Sequence, residues 1–284
     1  MTEIYTQKKL VHKSAFVKRQ AAASDCKRFV NTPAKVFVDG VLAALYLDIS
    51  AMDTAALVEA VRSVKFATAD RTGGMPSSSR VFGYMPRRPM GRGDFCAAAS
   101  LDRDFPQQAE TIGAFVGQLA TFYAAQNPAV YAHHAAQAAK ILPEYTINKL
   151  FSSGIVNKDN PLPYHLDGGN IPGCWSLMPV FKKDIEGGHL ACPEIDLCFE
   201  LADHTALMFD GQKLVHGVTP FTKTAPDGYR FSVVYYTMKQ LWACLPFEQE
   251  IQRARVNRTA VEARSAEGKV HHTIEKYLAK RNAH

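Results

Sequence analysis

The sequence predicts a mainly β fold with flanking helices, a double-stranded β-helix or jelly roll. Three observations carry this. Between residues 146 and 237, short β-type runs recur every eight to twelve residues or so, each bounded by Gly, Pro or Asp. Helical apolar spacing is confined to the residues before this stretch. After Pro246 the chain returns to a polar, charged helical pattern. The reading is therefore a basic, helical support region over 1–145, a core over 146–245 and a helical extension over 246–284, all one compact unit.

Residues 1–35 lack apolar periodicity and are expected to be partly extended. Val36-Phe37-Val38 and Leu42–Asp48 flank Asp39-Gly40, a hairpin signature, because this dipeptide tolerates the positive φ that tight hairpin turns require. Ser50 or Asp53 is placed to cap a helix through about Phe66, with Leu57, Val58, Val61 and Val64 on one face. Residues 70–93, rich in Gly, Pro, Ser and Arg, read as a long loop interrupted by a strand at Val81–Tyr84. Ile112, Phe115, Val116, Leu119, Phe122 and Tyr123 predict an amphipathic helix over 106–126, and an alanine-rich helix follows from Pro128 to Lys140. The core strands are then expected at Thr146–Phe151, Pro163–Leu166, Cys174–Val180, Gly188–Ala191, Asp196–Leu201, Ala206–Phe209, Leu214–Val218 and Arg230–Thr237.

The chain has 284 residues, 47% hydrophobic, enough for a sizeable core. It contains no apolar run of membrane-spanning length, and its first residues have no signal-peptide core. The six cysteines form no CxxC pair, which predicts reduced thiols in an intracellular setting, cytoplasmic or virus-encoded. The net charge of +6 is unevenly spread. Residues 8–35 hold Lys8, Lys9, Lys13, Lys18, Arg19, Lys27, Arg28 and Lys35 against Asp25 alone. Residues 71–92 hold Arg71, Arg80, Arg87, Arg88 and Arg92 without an acid. Such stretches fit a polyanionic partner or a solvated surface, and charge alone leaves both open. Without a GxGxxG, P-loop or GxSxG pattern, nucleotide-dependent and serine-hydrolase chemistry have no support.

The most informative run is Tyr164-His165-Leu166-Asp167-Gly168-Gly169-Asn170. His165 and Asp167 share one side of an extended segment. His216 falls in a later predicted strand, and Arg230 opens the last one. Two histidines and a carboxylate make the facial triad of non-heme Fe(II) oxygenases, which leaves coordination positions open. A guanidinium beyond the second His is suited to fork onto the far carboxylate of a 2-oxo acid on that iron. The plainer alternative is that Asp167 only turns the chain with Gly168-Gly169.

The stretch His165-x-Asp167-x-x-Asn170, Gly173, Glu186-Gly187-Gly188-His189-Leu190, Cys192-Pro193-Glu194, Asp203, Phe209, His216 and Arg230-x-Ser232 resembles the core of the TET/JBP nucleic-acid dioxygenases. That resemblance implies Fe(II) and 2-oxoglutarate as cofactors, with O₂ as co-substrate. His165, Asp167 and His216 would hold the metal, and Arg230 with Ser232 the far carboxylate of 2-oxoglutarate. Asn170 would face a flipped pyrimidine; on spacing alone it reads equally as a turn-closing residue. Arg80, in the arginine-rich loop, is expected to point toward the substrate pocket. The implied partner is DNA containing a 5-methylpyrimidine, with 5-methylcytosine favoured over thymine, and no membrane or obligate protein partner. Met238 stands where several relatives place a substrate-facing His, and no Cys-rich region precedes the core, so this would be a minimal form. Two alternatives stay open: a hydroxylase of a protein side chain or small molecule, and a non-enzymatic jelly-roll binding module.

Overall fold

The computed structural model describes residues 1–9, 13–66, 68–71, 75–87, 94–262 and 278–281, with backbone only at 68–71, 75–77 and 260–262. Two sheets face each other. The larger runs in the order Thr2–Thr6, Ala34–Val38, Val41–Asp48, Thr205–Phe209, Ser176–Lys183, Tyr229–Tyr236, Ser153–Lys158, Met75–Met85 and Thr68–Arg71. The smaller holds Gly217–Val218, Leu190–Cys192, Leu197–Phe199 and Arg28–Val30. Strands from the first 85 residues are thus hydrogen-bonded into both sheets, which extend beyond 146–245.

Strand parity sorts the side chains into two cores. Ser79, Asn157, Ser232 and Val180 are directly opposed across neighbouring strands and so share one face. Val180 on that face packs with Val36, Tyr46, Leu197, Phe199 and Leu207 in the core between the sheets. The alternate residues Val156, Phe181, Phe231 and Val233 pack on the outer face, against the helices Ala55–Ser63 and Pro106–Gln126. The helices take this face because Leu57, Val61, Ile112, Val116 and Leu119 form apolar stripes at helical spacing.

The expected hairpin is present, with Asp39 at φ 50° and Gly40 at φ 80°. Other expectations are corrected. The strand expected at Val81–Tyr84 is longer than the sequence suggests: it runs over Met75–Met85, paired with Thr68–Arg71 on one side and Ser153–Lys158 on the other. No strand forms at Thr146–Phe151, because the Asn148 carboxamide accepts the N–H groups of Leu150 and Phe151 and turns the chain. The strand follows at Ser153–Lys158, whose polar sequence masked it. Nor are all cysteines reduced: Cys96 and Cys244 form a disulfide, while Cys26, Cys174, Cys192 and Cys198 are free and buried. A pair 148 residues apart leaves no local motif to read. His134, in the helix Pro128–Ala138, is fully buried and bonded to Thr237 Oγ1 at 2.7 Å, and burial pulls its pKa down to about 3, so it is neutral.

The C-terminal helix Phe247–Glu262 carries a buried carboxylate that ties it to the rest of the fold. Glu250 is fully buried and accepts from the backbone N–H of Cys96 (3.1 Å) and Leu245 (2.9 Å) and from the Arg87 guanidinium (2.9 Å). Burial alone would raise its pKa, but Arg87 and the two N–H donors outweigh it and hold the carboxyl below its usual range. A depressed folded-state pKa contributes stability that is present above the unfolded value and lost as pH falls through the folded one. Glu250→Ala strands these donors and is expected to cost about 3–5 kcal/mol, read as a lowered melting temperature at neutral pH. The deficit should shrink below about pH 4, where the parent carboxylate protonates too.

Candidate metal centre and its carboxylate pocket

His165 and His216 are brought together by an isolated antiparallel bridge. The His165 N–H donates to the His216 carbonyl at 2.9 Å, and the His216 N–H returns the bond at 3.1 Å. The two imidazoles lie side by side, with ring centroids 4.3 Å apart. Each ring is fixed by its own strand: Nδ1 of His165 meets the Pro163 carbonyl at 2.8 Å and Nδ1 of His216 the Leu214 carbonyl at 2.9 Å. With Nδ1–H donating to a carbonyl, each ring has its lone pair on Nε2, the atom that would bind a metal. Both Nε2 atoms stand 3.7 Å from Asp167 Oδ1, and the three donor atoms fall within 4.8 Å of one another. One ion with bonds of about 2.0–2.2 Å fits between them. His216 is buried while His165 and Asp167 are partly open, so the centre faces solvent on one side.

The carboxylate is positioned by the loop beneath it. The Asp167 N–H donates to the Gly211 carbonyl at 2.9 Å. A Cβ on Gly211 would lie 2.1 Å from Asp167 Oδ2, so a glycine here leaves the carboxylate room to stand where it does. Sequence reasoning missed Gly211, although Asp210-Gly211 was a readable turn signal. Asn170 is buried, with Nδ2 3.2 Å from Ser176 Oγ and 3.5 Å from Asp167 Oδ2. This donor is turned to the triad and braces the carboxylate.

Arg230 has no exposed surface. It lies on the same interior face as Ser232, itself buried, because the two are alternate residues of one strand. Its Nε donates to the Gly188 carbonyl at 3.1 Å, and Gly188, at φ 72°, is the residue that lets the side chain pass: a Cβ there would meet Arg230 Nε at 2.7 Å. The two terminal nitrogens have no partner. Burial pulls the guanidinium down to about 10, so it stays charged at neutral pH. A buried cation with four unused N–H donors is costly unless an anion joins it, and a carboxylate matches its fork. Nδ1 of His189, next to Gly188, is also buried without a partner. Burial, then the neighbouring Lys182, lowers the His189 pKa. The pocket therefore offers unpartnered nitrogens of Arg230 and His189, a setting suited to an anion.

Arg80 does not reach this pocket. It opposes Val156 and so lies on the helix-packed face. There it donates to the Lys65 carbonyl at 2.8 Å, pairs with Asp104 at 2.9 Å and covers the Phe105 ring. Strand parity thus turns it away from the interior face toward which the sequence reading had it point. Arg87 is likewise committed, to Glu250. Arg88, Arg92 and the side chain of Arg71 lie outside the described residues.

The family profile described as the oxygenase domain of the 2OGFeDO superfamily (Tet_JBP) matches residues 83–239. The chain belongs to this family. It is a dioxygenase of the class that uses Fe(II) and 2-oxoglutarate, and its jelly roll is the fold of that class. It is 26% identical over 212 residues to the bifunctional helicase and thymine dioxygenase JBP2 of Leishmania major, covering 73% of this chain and 18% of that protein. With the Leishmania tarentolae protein of the same description the identity is 30% over 105 residues, 37% of this chain and 10% of that one. The chain thus spans less than a fifth of the length of these curated relatives. Its fold is similar to that of NgTET1 solved in complex with 5mC DNA, with a TM-score of 0.57 at 14% identity, over 89% of this chain and 90% of that one. Among the described residues no helix is long and apolar enough to cross a membrane.

Proposed function

We propose that the chain oxidises the 5-methyl group of a pyrimidine in DNA, with 5-methylcytosine as the preferred base. The observation that carries the reading is the pairing of a His-Asp-His cluster with a buried guanidinium whose two terminal nitrogens have no partner among the described residues, in one jelly roll. His165, Asp167 and His216 would hold Fe(II), and Arg230 with Ser232 would hold the far carboxylate of 2-oxoglutarate. When bound, the iron with 2-oxoglutarate and O₂ supplies the oxidation of a C–H bond to an alcohol. The chain's own residues do the positioning. The Nδ1 bonds of both histidines fix the tautomer, and Gly211 leaves room for the Asp167 carboxylate. The buried Arg230 orients a 2-oxo acid by its far end. DNA as substrate is supported by the relatives, one described as a thymine dioxygenase and the other captured with 5mC DNA. A methyl group at the major-groove edge of a duplex cannot enter the jelly roll, so the base must leave the stack.

Thymine is the second reading, because the sequence relatives carry that activity in their description. Nucleosides from methylated and unmethylated DNA, incubated with the protein, Fe(II) and 2-oxoglutarate, are to be weighed by mass spectrometry. The expected product is 5-hydroxymethylcytosine from methylated DNA only. A hydroxylated thymine from both substrates would reverse the preference. Succinate release without any altered nucleoside would move the substrate to a protein or small molecule.

A further inference from the structure

Arg230 is not the only cation in its pocket. Its Cα partner on the neighbouring strand is Lys182, directly opposite in register, so both side chains leave the sheet on the same face. That face is the interior one, shared with Val180 and Ser232. Lys182 is half-buried, and burial together with the adjacent Arg230 lowers its pKa. The acids near it are otherwise engaged or too far for an ion pair. Asp203 accepts the Lys182 backbone N–H at 2.9 Å and pairs with His204 at 2.9 Å. Glu200 influences both Lys182 and His189 without an ion pair to either among the described residues. Like charges directly opposite on a sheet are destabilising. Here they stand beside a buried guanidinium whose terminal nitrogens have no partner. A single anion between them would relieve both costs.

We propose that Lys182 is a second cationic contact for the far carboxylate of the 2-oxo acid, and that with Arg230 it selects dicarboxylic over monocarboxylic 2-oxo acids. This rests on the reading of Arg230 as the carboxylate anchor. In sequence, Lys182-Lys183 has the look of a solvated pair. Lys183 is of that kind, exposed and bonded to Asp227 at 2.7 Å.

The test is calorimetric titration of 2-oxoglutarate, and of 2-oxobutanoate, which lacks the far carboxylate, into the full chain loaded with Mn(II) in place of iron. Lys182→Met is expected to weaken 2-oxoglutarate binding by about tenfold or more, the worth of one charged hydrogen bond. Binding of 2-oxobutanoate and of Mn(II) should not change. Lys182→Arg should restore most of the affinity by returning the charge, and Lys183→Met should match the parent. If Lys182→Met does not fold, Lys182→Gln carries the same comparison. Parent-like 2-oxoglutarate affinity in Lys182→Met, with binding lost in Arg230→Met, overturns this proposal alone. Equal weakening of both acids overturns it too, by pointing to damage at the metal. Unchanged binding in Arg230→Met would remove the anchor itself, and the proposed function with it.

Discussion

Gly211→Ala is expected to abolish metal binding while leaving the fold intact. The Asp167 and Gly211 backbones are locked together by the Asp167 N–H bond to the Gly211 carbonyl, so the added methyl cannot move away from the carboxylate. It would sit 2.1 Å from Asp167 Oδ2, 2.7 Å from Cγ and 3.2 Å from His216 Cε1. Gly211 is not at positive φ, so the backbone accepts alanine and the conflict is confined to the site. The cheapest relief is rotation of Asp167 about χ1, which takes Oδ1 off the shared position with the two Nε2 atoms. Metal affinity should fall by about 100-fold or more, beyond the usual cost of disturbing a residue behind a ligand. Titration with Mn(II), followed by the change in melting temperature, measures this. The double variant Asp167→Ala, Gly211→Ala should be no worse than Asp167→Ala alone, because the methyl then has nothing to displace. Parent-like metal affinity in Gly211→Ala would show that Asp167 is not a ligand.

Local chemistry explains which parts of the site were legible in the sequence. His165, Asp167, His216 and Arg230 each announce a donor type, and their order on successive β runs is visible without coordinates. The structure adds what spacing cannot hold. The bridge between His165 and His216 forms between segments that are barely strands, Pro163–Leu166 having no ladder beyond that one pair. Gly211 and Gly188 matter through what they lack, so no donor marks them. The direction of Arg80 was not legible because its surroundings looked like loop, where a side chain can point anywhere; on the strand Met75–Met85, parity sends it to the helices. Lys182 carries no signal of its own in the sequence, since a charged pair suggests surface until the register places one of the two inside. The N-terminal strands Ala34–Val38 and Val41–Asp48 were legible as a hairpin, but that they complete the large sheet beside Thr205–Phe209 is a long-range pairing with no local trace.

Arg230→Met is expected to have opposite effects on the empty and the loaded protein. In the parent, an unpaired guanidinium is held in the core without one exposed atom, a state that disfavours folding until an anion arrives. Methionine fills much of the same volume without the charge, so the cofactor-free variant should melt at or above the parent temperature, a gain of about 1–3 kcal/mol. The loaded protein should behave in reverse. Truncating one partner of a buried, hydrogen-bonded charge pair costs about 2–5 kcal/mol, so 2-oxoglutarate affinity should drop by about 100-fold and its stabilising effect should vanish at concentrations that saturate the parent. Arg230→Lys keeps the charge but not the fork, and Lys reaches the site without the bond that Nε makes to the Gly188 carbonyl. It should fall between the two, with weakened 2-oxoglutarate binding and no gain in the empty state. Mn(II) affinity should be unchanged in both, since no triad atom depends on this strand. A cofactor-free Arg230→Met protein that melts well below the parent, yet still gains the full stabilisation from 2-oxoglutarate, would show that the guanidinium is a structural element and that the carboxylate binds elsewhere.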